Sequence, residues 1–233
     1  MITITRSLAR LLRTVLRKAG LGKVDSQADA FVHIASDSHD LRLRVAGPDM
    51  GIEYRQHGEL PTRNFILPVE VLATIEGRTQ EPVALEPMEP GRVKLSFTER
   101  GVSQLLERTY DPSLNQPTWP EQPVSYAENS ADLWSALRDA VATTSREPTR
   151  FALNCLQLCG RGDIAATDGH HILLQSGFTF PWTESLLVPA KTILGCKELA
   201  TGNPVRVGLA GDWVTLDIGS WLISLKIHRS SRF

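Results

Sequence analysis

The segment AATDGHHILLQ, residues 165–175, places a carboxylate and two imidazoles within four positions, Asp168, His170 and His171. A metal site or a general acid–base pair uses these side chains. Apolar residues lie on both sides of the group, however, and Asp-Gly between two such runs is typical of a β-hairpin. Neighbouring side chains of an extended chain point to opposite faces, so the two histidines are not expected to hold one ion. The segment is therefore predicted to be a turn, with no metal and no catalytic residue.

The length and composition of the chain are those of a soluble globular protein. Its 233 residues are 42% hydrophobic and 22% charged, which suits one large domain or two ordinary ones. No apolar run approaches the roughly 20 residues that a membrane span needs. The opening segment MITITRSLARLL has arginines among its apolar residues, unlike a signal peptide. A cytoplasmic protein without a membrane partner is expected.

The cysteines and the charge balance exclude further classes. Cys155, Cys159 and Cys196 are an odd number in a chain without an export signal, which favours reduced thiols. Cys155 and Cys159 form an isolated CxxxC that lacks the second ligand pair of a structural zinc site. No cofactor is expected. Because 25 basic and 26 acidic side chains nearly cancel, any electrostatic surface has to be local.

The chain contains an internal repeat. Three pairs of segments recur in the same order: FILPVEVLATI (65–75) with LLVPAKTILGC (186–196), RVKL (92–95) with WVTL (213–216), and FVHIAS (31–36) with FALNCL (151–156). The offset is 121 residues for the first two pairs and 120 for the third. This self-similarity predicts a duplicated domain, 1–123 and 124–233, with the proline-rich segment DPSLNQPTWPEQP (111–123) as the link.

Each half is predicted to contain strands and two helices. SLARLLRTVLRKAG and ADLWSALRDAVATT have apolar faces at helical spacing, and Asn129 or Ser130 is the expected N-cap of the latter. PVEVLATIEG and PAKTILGCKEL are the second helix candidates, each with proline near the first turn. Short runs such as DLRLRV, RVKLSF and WVTLDI indicate strands.

Three motifs in the second half resemble a known family. TRFALN (149–154), ATDGHHIL (166–173) and LVPAKTIL (187–194) are similar to the middle domain of the bacterial DNA polymerase processivity clamp, the beta subunit of the replicative polymerase. MITITRSLARLL and TWPEQP match the N-terminal domain of that family more loosely. The resemblance covers nearly the whole chain. It implies an α+β fold of two tandem clamp domains, each with antiparallel sheets outside and two helices on the inner face.

The domain count departs from that family. Bacterial clamps of this type usually have three such domains in each chain, whereas this sequence has two repeats. If the 233 residues are the whole protein, closing a ring of six domains takes three copies, and a homotrimer is expected. A truncated chain is the alternative.

The resemblance implies a shallow groove that binds short peptide motifs of polymerases, the clamp loader and repair proteins. Carried over residue by residue, its expected lining is Leu153, Thr167, Gly169, His170, His171, Ile172 and Pro189, with Ile193 or Leu194 as a further apolar contact. His171 stands where the family more often has arginine, and the third domain normally supplies the other wall. Without the resemblance, Leu153, Ile172 and Leu194 are interpreted as ordinary core residues.

A row of arginines lies opposite the apolar stripe of the first helix. Arg6, Arg10, Arg13 and Arg17 suit contacts to phosphates, and a solvated helix face is the alternative. In the clamp family these helices line the channel around DNA, so the resemblance implies that the row faces DNA. The second half adds three cations to the expected DNA-facing surface, Arg138, Lys191 and Lys197. Acidic neighbours outnumber Arg138, so the first domain is expected to carry most of the positive charge.

These features together predict a DNA sliding clamp, a non-enzymatic processivity factor of DNA replication that encircles duplex DNA and tethers polymerase or repair proteins. The alternative is a non-ring adaptor or decoy that binds clamp-interacting peptides. A hydrolase using Asp168 and a histidine is disfavoured, because the sequence has neither a second carboxylate–histidine cluster nor a glycine-rich phosphate loop.

Overall fold

The order of strands and helices in the first part of the chain recurs in the second part, as the internal repeat predicts. The structure, a computed structural model, describes residues 1–21, 31–88, 91–110, 118–145, 152–199 and 202–229. The first set of elements is β1 (Ile2–Thr5), α1 (Arg6–Ala19), β2 (Phe31–Ser36), β3 (Asp40–Ala46), β4 (Met50–His57), β5 (Arg63–Pro68), α2 (Val71–Ile75), β6 (Pro82–Pro87), β7 (Arg92–Glu99) and β8 (Val102–Thr109). The second set is β9 (Tyr126–Asn129), α3 (Asp132–Thr143), β10 (Cys155–Cys159), β11 (Asp163–Thr167), β12 (Ile172–Gln175), β13 (Ser185–Pro189), β14 (Val205–Ala210), β15 (Trp213–Ile218) and β16 (Trp221–Lys226).

These elements divide into two units. Unit 1 comprises Met1–Val45 and Glu53–Thr118, and unit 2 comprises Ala46–Ile52 and Trp119–Phe233. The boundary predicted from the sequence, after residue 123, is later than this division. Proline and glycine contacts within unit 2 explain why the last residues of the link belong there: a methyl group on Gly208 would lie 2.5 Å from Pro123 Cβ, and one on Gly51 would lie 2.7 Å from Pro120 Cγ.

Taken unit by unit, the strand orders correspond. Unit 1 has the orders β1-β6-β7-β8 and β5-β2-β3-β4, and unit 2 has β9-β14-β15-β16 and β13-β10-β11-β12. Pro68 ends β5 opposite Phe31, and Pro189 ends β13 opposite Cys155. Cys155, 124 residues after Phe31, is therefore the structural counterpart of Phe31. The sequence pairing of FVHIAS with FALNCL is out of register by four residues, and the stretch from Cys155 to Pro189 is three residues shorter than the stretch from Phe31 to Pro68.

Helix α1 has clear signals at both ends. The Thr5 side chain accepts a hydrogen bond from the Leu8 N–H at 3.1 Å, which caps the first turn. Gly20 ends the helix in the left-handed conformation (φ 74°), with its N–H on the Arg17 carbonyl oxygen. Leu8, Leu12 and Leu16 are buried along one side. The amphipathic helix predicted from the sequence is confirmed.

Helix α3 begins close to the predicted position. Ala131 is the N-cap residue, and the Ser130 hydroxyl accepts a hydrogen bond from the Asp132 N–H at 3.3 Å. The other cap candidate, Asn129, has a different role. Its side-chain amide bonds both the N–H and the carbonyl oxygen of Thr179, which ties β9 to the segment before β13.

The second helix of each half is shorter than predicted. In unit 1, PVEVLATIEG forms only the five-residue α2. In unit 2, PAKTILGCKEL forms two 3-10 turns, Thr192–Gly195 and Lys197–Leu199, so the prediction of two helices in that half is wrong. Adjacent β-branched residues Thr192 and Ile193 followed by Gly195 have low helix propensity, and Cys196 is extended. No helix in the described ranges is long and apolar enough to cross a membrane.

Candidate functional site

The turn between β11 and β12 is organised by one carboxylate. Thr167 pairs with Ile172, so residues 168–171 form the turn of the predicted hairpin. Asp168 Oδ1 accepts hydrogen bonds from the His170 N–H at 2.8 Å and the His171 N–H at 2.7 Å. Asp168 Oδ2 lies 3.1 Å from His171 Nδ1. The aspartate thus fixes the backbone of both histidines.

Two further contacts close the turn. The Thr167 hydroxyl donates to the His171 carbonyl oxygen at 2.6 Å and accepts from the Gly169 N–H at 3.0 Å. Gly169 has φ 92°, a left-handed conformation that favours glycine. A methyl group on Gly169 would lie 3.5 Å from Leu153 Cδ1, so the Leu153 side chain borders the turn.

These hydrogen bonds determine the protonation of the aspartate. The His171 N–H, then the His170 N–H and the His171 side chain, hold the pKa of Asp168 well below its usual range. The carboxylate therefore stays ionised at neutral pH, and its oxygens are occupied by the turn. A general base needs a pKa near the working pH, which this geometry does not provide.

The two histidines lie in the turn rather than in a strand. The strand alternation expected for them from the sequence therefore does not apply, and His171 approaches Asp168 instead. His170 and His171 are both exposed. In the described part of the chain, no three His, Cys, Asp or Glu side chains are grouped so that they could hold a metal ion.

Most of the predicted groove residues lie at one end of a single sheet. The strands β12, β11, β10 and β13 are neighbours in this order. Because β10 and β11 are antiparallel, the pairs Thr167–Ile172 and Cys155–Pro189 lie at the same end of these strands. Ile172 is 77% exposed, whereas Leu153 and Pro189 are half-buried. An accessible apolar side chain therefore stands beside a rigid, polar turn.

Ile193 and Leu194 do not belong to this surface. Both are fully buried in the first 3-10 turn, which packs against α3. These two side chains therefore belong to the core of unit 2. The prediction that one of them is a further groove contact is wrong for this structure.

The row of four arginines divides into one buried and three exposed side chains. Arg10, Arg13 and Arg17 are exposed on α1. Arg13 contacts the Glu76 carboxylate at 2.5 Å, so part of its charge is neutralised. The structure describes an exposed basic face on α1, and its contact with DNA stays a prediction.

Arg6 is the buried member and departs from the expectation. Its guanidinium donates to the backbone carbonyl oxygens of Ile75, Glu76 and Thr98 and to the Glu99 carboxylate, at 2.9–3.3 Å. The Arg6 residue is 7% exposed. Helical spacing places it in line with the other arginines, but the first turn of α1 lies against α2 and β7. Arg6 therefore fastens α1 to unit 1 and is withdrawn from the surface.

Of the three predicted DNA-facing cations of unit 2, two form ion pairs with nearby carboxylates and the third lies in a separate 3-10 turn. Arg138 bonds the Asp139 carboxylate at 3.0 Å, and Lys191 pairs with Asp49, also a residue of unit 2. Lys197 is exposed in the second 3-10 turn. The exposed positive charge of unit 2 is therefore more dispersed than that of α1.

Two exposed apolar features go unpredicted from the sequence. Leu174 is 61% exposed two residues after Ile172, and β8 exposes Val102 and Leu105. The period-2 spacing of Ile172 and Leu174 could have signalled that both side chains point to one face of β12. Nothing in the local sequence signals that the apolar residues of β8 are exposed.

The architecture is that of a DNA clamp: repeated units with matching antiparallel sheets and a helix after the first strand of each. Among clamps, it matches the bacterial beta subunits. The DNA polymerase III subunit beta of Pseudomonas aeruginosa superposes with a TM-score of 0.76 at 19% identity, over 99% of this chain and 65% of that one. The Caulobacter crescentus pol III beta gives 0.76 at 18% identity, over 98% and 66%. The Helicobacter pylori beta clamp bound to a DNA ligase peptide gives 0.72 at 14%, over 100% and 67%.

These identities establish the fold. The chain spans 65% of the length of the Pseudomonas protein. No protein-family model matches the sequence, and no curated protein does. The resemblance inferred from three motifs is confirmed as a structural match to bacterial beta clamps over the whole chain.

Proposed function

We propose that the chain acts as a sliding clamp, which encircles duplex DNA and tethers polymerase, clamp-loader or repair proteins through short peptide motifs. The fold match over the whole chain supports this function. One structure with the same fold, from Helicobacter pylori, carries a DNA ligase peptide. The role requires binding and topology rather than bond chemistry, in agreement with the structural use of Asp168.

The observation that carries the proposal is the surface beside the Asp168 turn. Ile172 is 77% exposed next to a turn whose backbone is fixed by Asp168 and Thr167, and Leu153 borders it. A peptide needs an apolar contact for its Leu or Phe anchor and fixed polar groups that set its direction. This surface offers both kinds of group, and His170 and His171 add exposed imidazoles at its rim.

The exposed face of α1 supports the DNA-binding part of the function. Arg10, Arg13 and Arg17 lie along one side of the helix and carry one sign of charge. Such a row contacts phosphates without reading bases, as a protein that moves along DNA requires. Three copies of a two-repeat chain supply the six domains of such a ring, so a homotrimer is part of this proposal.

Peptide binding tests the proposal through Ile172. A peptide with Leu and Phe anchors from a bacterial clamp-binding motif should bind with micromolar affinity, because a short flexible peptide loses entropy on a shallow surface. Ile172→Ser should weaken this binding roughly tenfold in calorimetry. Val124→Ser is the matched control, since Val124 is likewise an exposed β-branched residue but lies outside the turn surface. Equal affinity of the wild type and Ile172→Ser would place the groove elsewhere.

A non-ring adaptor that binds the same peptides is the second candidate. The observation in its favour is the limited positive surface: Arg6 is buried, and Arg138 and Lys191 are paired with carboxylates. An adaptor would bind the peptide as a monomer and would not depend on α1. If the wild-type chain did not bind the peptide, both candidate functions would be refuted. If it bound the peptide as a monomer, the adaptor would be the correct function.

A further inference from the structure

His171 is held at three points by its own turn. Its N–H donates to Asp168 Oδ1 at 2.7 Å, and its carbonyl oxygen accepts from the Thr167 hydroxyl at 2.6 Å. Its ring nitrogen Nδ1 lies 3.1 Å from Asp168 Oδ2. The backbone and the ring are therefore both fixed, although the side chain is 79% exposed. An exposed side chain that is already held in one orientation loses little entropy when a ligand binds to it.

The carboxylate of Asp168 decides which ring nitrogen of His171 carries the proton. Hydrogen bonds from the His171 and His170 N–H groups hold the pKa of Asp168 well below its usual range, so its oxygens can only accept at neutral pH. A neutral imidazole donates from one nitrogen and accepts at the other. Because Nδ1 faces an acceptor, the proton of neutral His171 belongs on Nδ1. Nε2 is then the acceptor that the exposed ring offers to a ligand.

This acceptor stands at the edge of the apolar surface. Ile172 follows His171 directly in the chain, and its side chain is also exposed. The ionised Asp168 adds a negative charge to the same turn. A ligand carboxylate at this place would set its lone pairs against Nε2 and its charge beside Asp168, whereas an N–H or O–H group would donate to Nε2. The turn therefore separates ligands by the polar group next to their apolar anchor.

We propose that neutral His171 selects peptides that carry a hydrogen-bond donor, rather than a carboxylate, beside the apolar residue that contacts Ile172. The proposal rests on the peptide-binding part of the proposed function and adds the chemical class of the peptide. Asp168 is a positioning residue, because it determines through Nδ1 which group His171 presents. The selectivity comes from one favourable hydrogen bond and from the repulsion of the wrong partner.

The position of the proton is tested first, without any peptide. Nitrogen-15 NMR of the imidazoles at about pH 8.5, where an imidazole is neutral, should show the His171 proton on Nδ1. In Asp168→Asn the amide oxygen has to take the two backbone N–H groups, so its NH2 group faces Nδ1 and the proton should move to Nε2. A wild-type His171 that carries its proton on Nε2 would overturn the proposal.

The selectivity is tested with two pairs of peptides that carry Leu and Phe anchors. One pair has Asn or Asp immediately before the anchors, and the other has Asn or Asp immediately after them, because Asn and Asp have nearly the same shape. In calorimetry at about pH 8.5, the wild type should prefer Asn in at least one pair by roughly fivefold, the effect of one hydrogen bond between neutral groups. Equal affinities within both pairs would overturn the proposal.

Two variants separate the acceptor on the ring from the charge of the turn. His171→Phe keeps the Asp168 carboxylate but removes Nε2, and Asp168→Asn keeps the ring but moves its proton. Both variants should lose the preference for Asn. A preference that persisted in His171→Phe would assign the selectivity to the carboxylate charge, and one that persisted in Asp168→Asn would deny Asp168 its positioning role. Either result would contradict the proposal.

His57 supplies the matched control. Its Nδ1 also lies close to a carboxylate oxygen, 2.6 Å from Asp40 Oδ1, and its side chain is 90% exposed, but it belongs to β4 and not to the turn. His57→Gln should keep the wild-type preference, and its loss there would refute the assignment to His171. If no peptide bound to the wild type, the proposed function would be refuted together with the selectivity. If all four peptides bound equally well, the selectivity alone would be refuted.

Discussion

Helices α1 and α3 occupy the same place in the two units, yet their exposed faces differ. α1 presents Arg10, Arg13 and Arg17, whereas α3 presents Arg138 beside Asp139 and begins with Asp132. Both helices bury an apolar side, Leu8 and Leu12 in one and Leu133 and Leu137 in the other. The repeat therefore keeps the buried positions that determine the fold, while the exposed faces carry different charges. An interaction surface has to be assigned to each unit separately.

The turns between the third and fourth strands of each repeat show the same contrast. In the first repeat the turn is closed by the Gly47 N–H on the Met50 carbonyl oxygen at 2.7 Å, with exposed Pro48 between them. In the second repeat Asp168 binds two backbone N–H groups, and two exposed histidines follow it. The hairpin topology is common to both, and the chemistry that can recognise a ligand is present at the second turn.

The largest effect is expected where α1 is fastened to unit 1. Arg6→Ala would leave the buried carbonyl oxygen of Ile75 and the partly buried ones of Glu76 and Thr98 without their donor, at a cost of roughly 3 kcal/mol of unfolding free energy. Arg10→Ala, on the exposed side of the same helix, should change it by less than about 0.5 kcal/mol. Urea unfolding with an unchanged m-value measures both. If both variants lost the same small amount of unfolding free energy, Arg6 would be an exposed residue like Arg10.

An intermediate effect is expected from charge reversal on α1. Arg10→Glu combined with Arg17→Glu should reduce the slope of log K against log salt for DNA association by roughly two, one for each phosphate that is no longer neutralised. The matched pair in unit 2, Arg138→Glu with Lys197→Glu, should change it less, because Arg138 already bonds Asp139. If both pairs changed the slope equally, the proposed difference in charge between the two units would be contradicted. If the α1 pair left the slope unchanged, the arginines of α1 would be a solvated helix face that does not contact DNA.

The smallest effect concerns pH at the second turn. The folded-state pKa of Asp168 is lowered, so its stabilisation of the turn is fully present above the unfolded value of about 3.9 and is lost as pH falls through the lower folded value. The His170 and His171 amide resonances should therefore stay constant from about pH 5 through about pH 4 and shift only at lower pH. Asp168→Asn should show no such acid transition. A transition centred near pH 4 would mean that the N–H groups do not hold the carboxylate.

The sequence predicts most of the fold because the apolar pattern that fixes it repeats along the chain. Period-2 strands, the stripe of α1 and the Asp-Gly hairpin are local signals, and each is confirmed. The prediction for Arg6 is wrong because helical spacing gives a direction around the axis but no depth, and only the packing of α1 on α2 and β7 buries it. Ile193 and Leu194 were carried over to the groove from the family resemblance, which gives their identity but not their depth, and both are buried in the core of unit 2.

Only part of the candidate site can be predicted from the sequence. The residues of the turn lie together with Leu153, as predicted. The turn follows from a local hairpin signal, and Leu153 belongs to a motif that precedes it in the sequence. The exposure of Leu174, Val102 and Leu105 depends on which strands end a sheet, and strand order is set by contacts between distant segments.

The absolute mass of the wild-type chain in solution tests the central claim that this chain closes into a ring. Light scattering coupled to size exclusion at micromolar concentration should report about three times the 25.7 kDa chain mass, as expected for a specific interface of ordinary size. A mass of one chain that does not change with concentration would contradict the ring and leave the adaptor as the function of this fold.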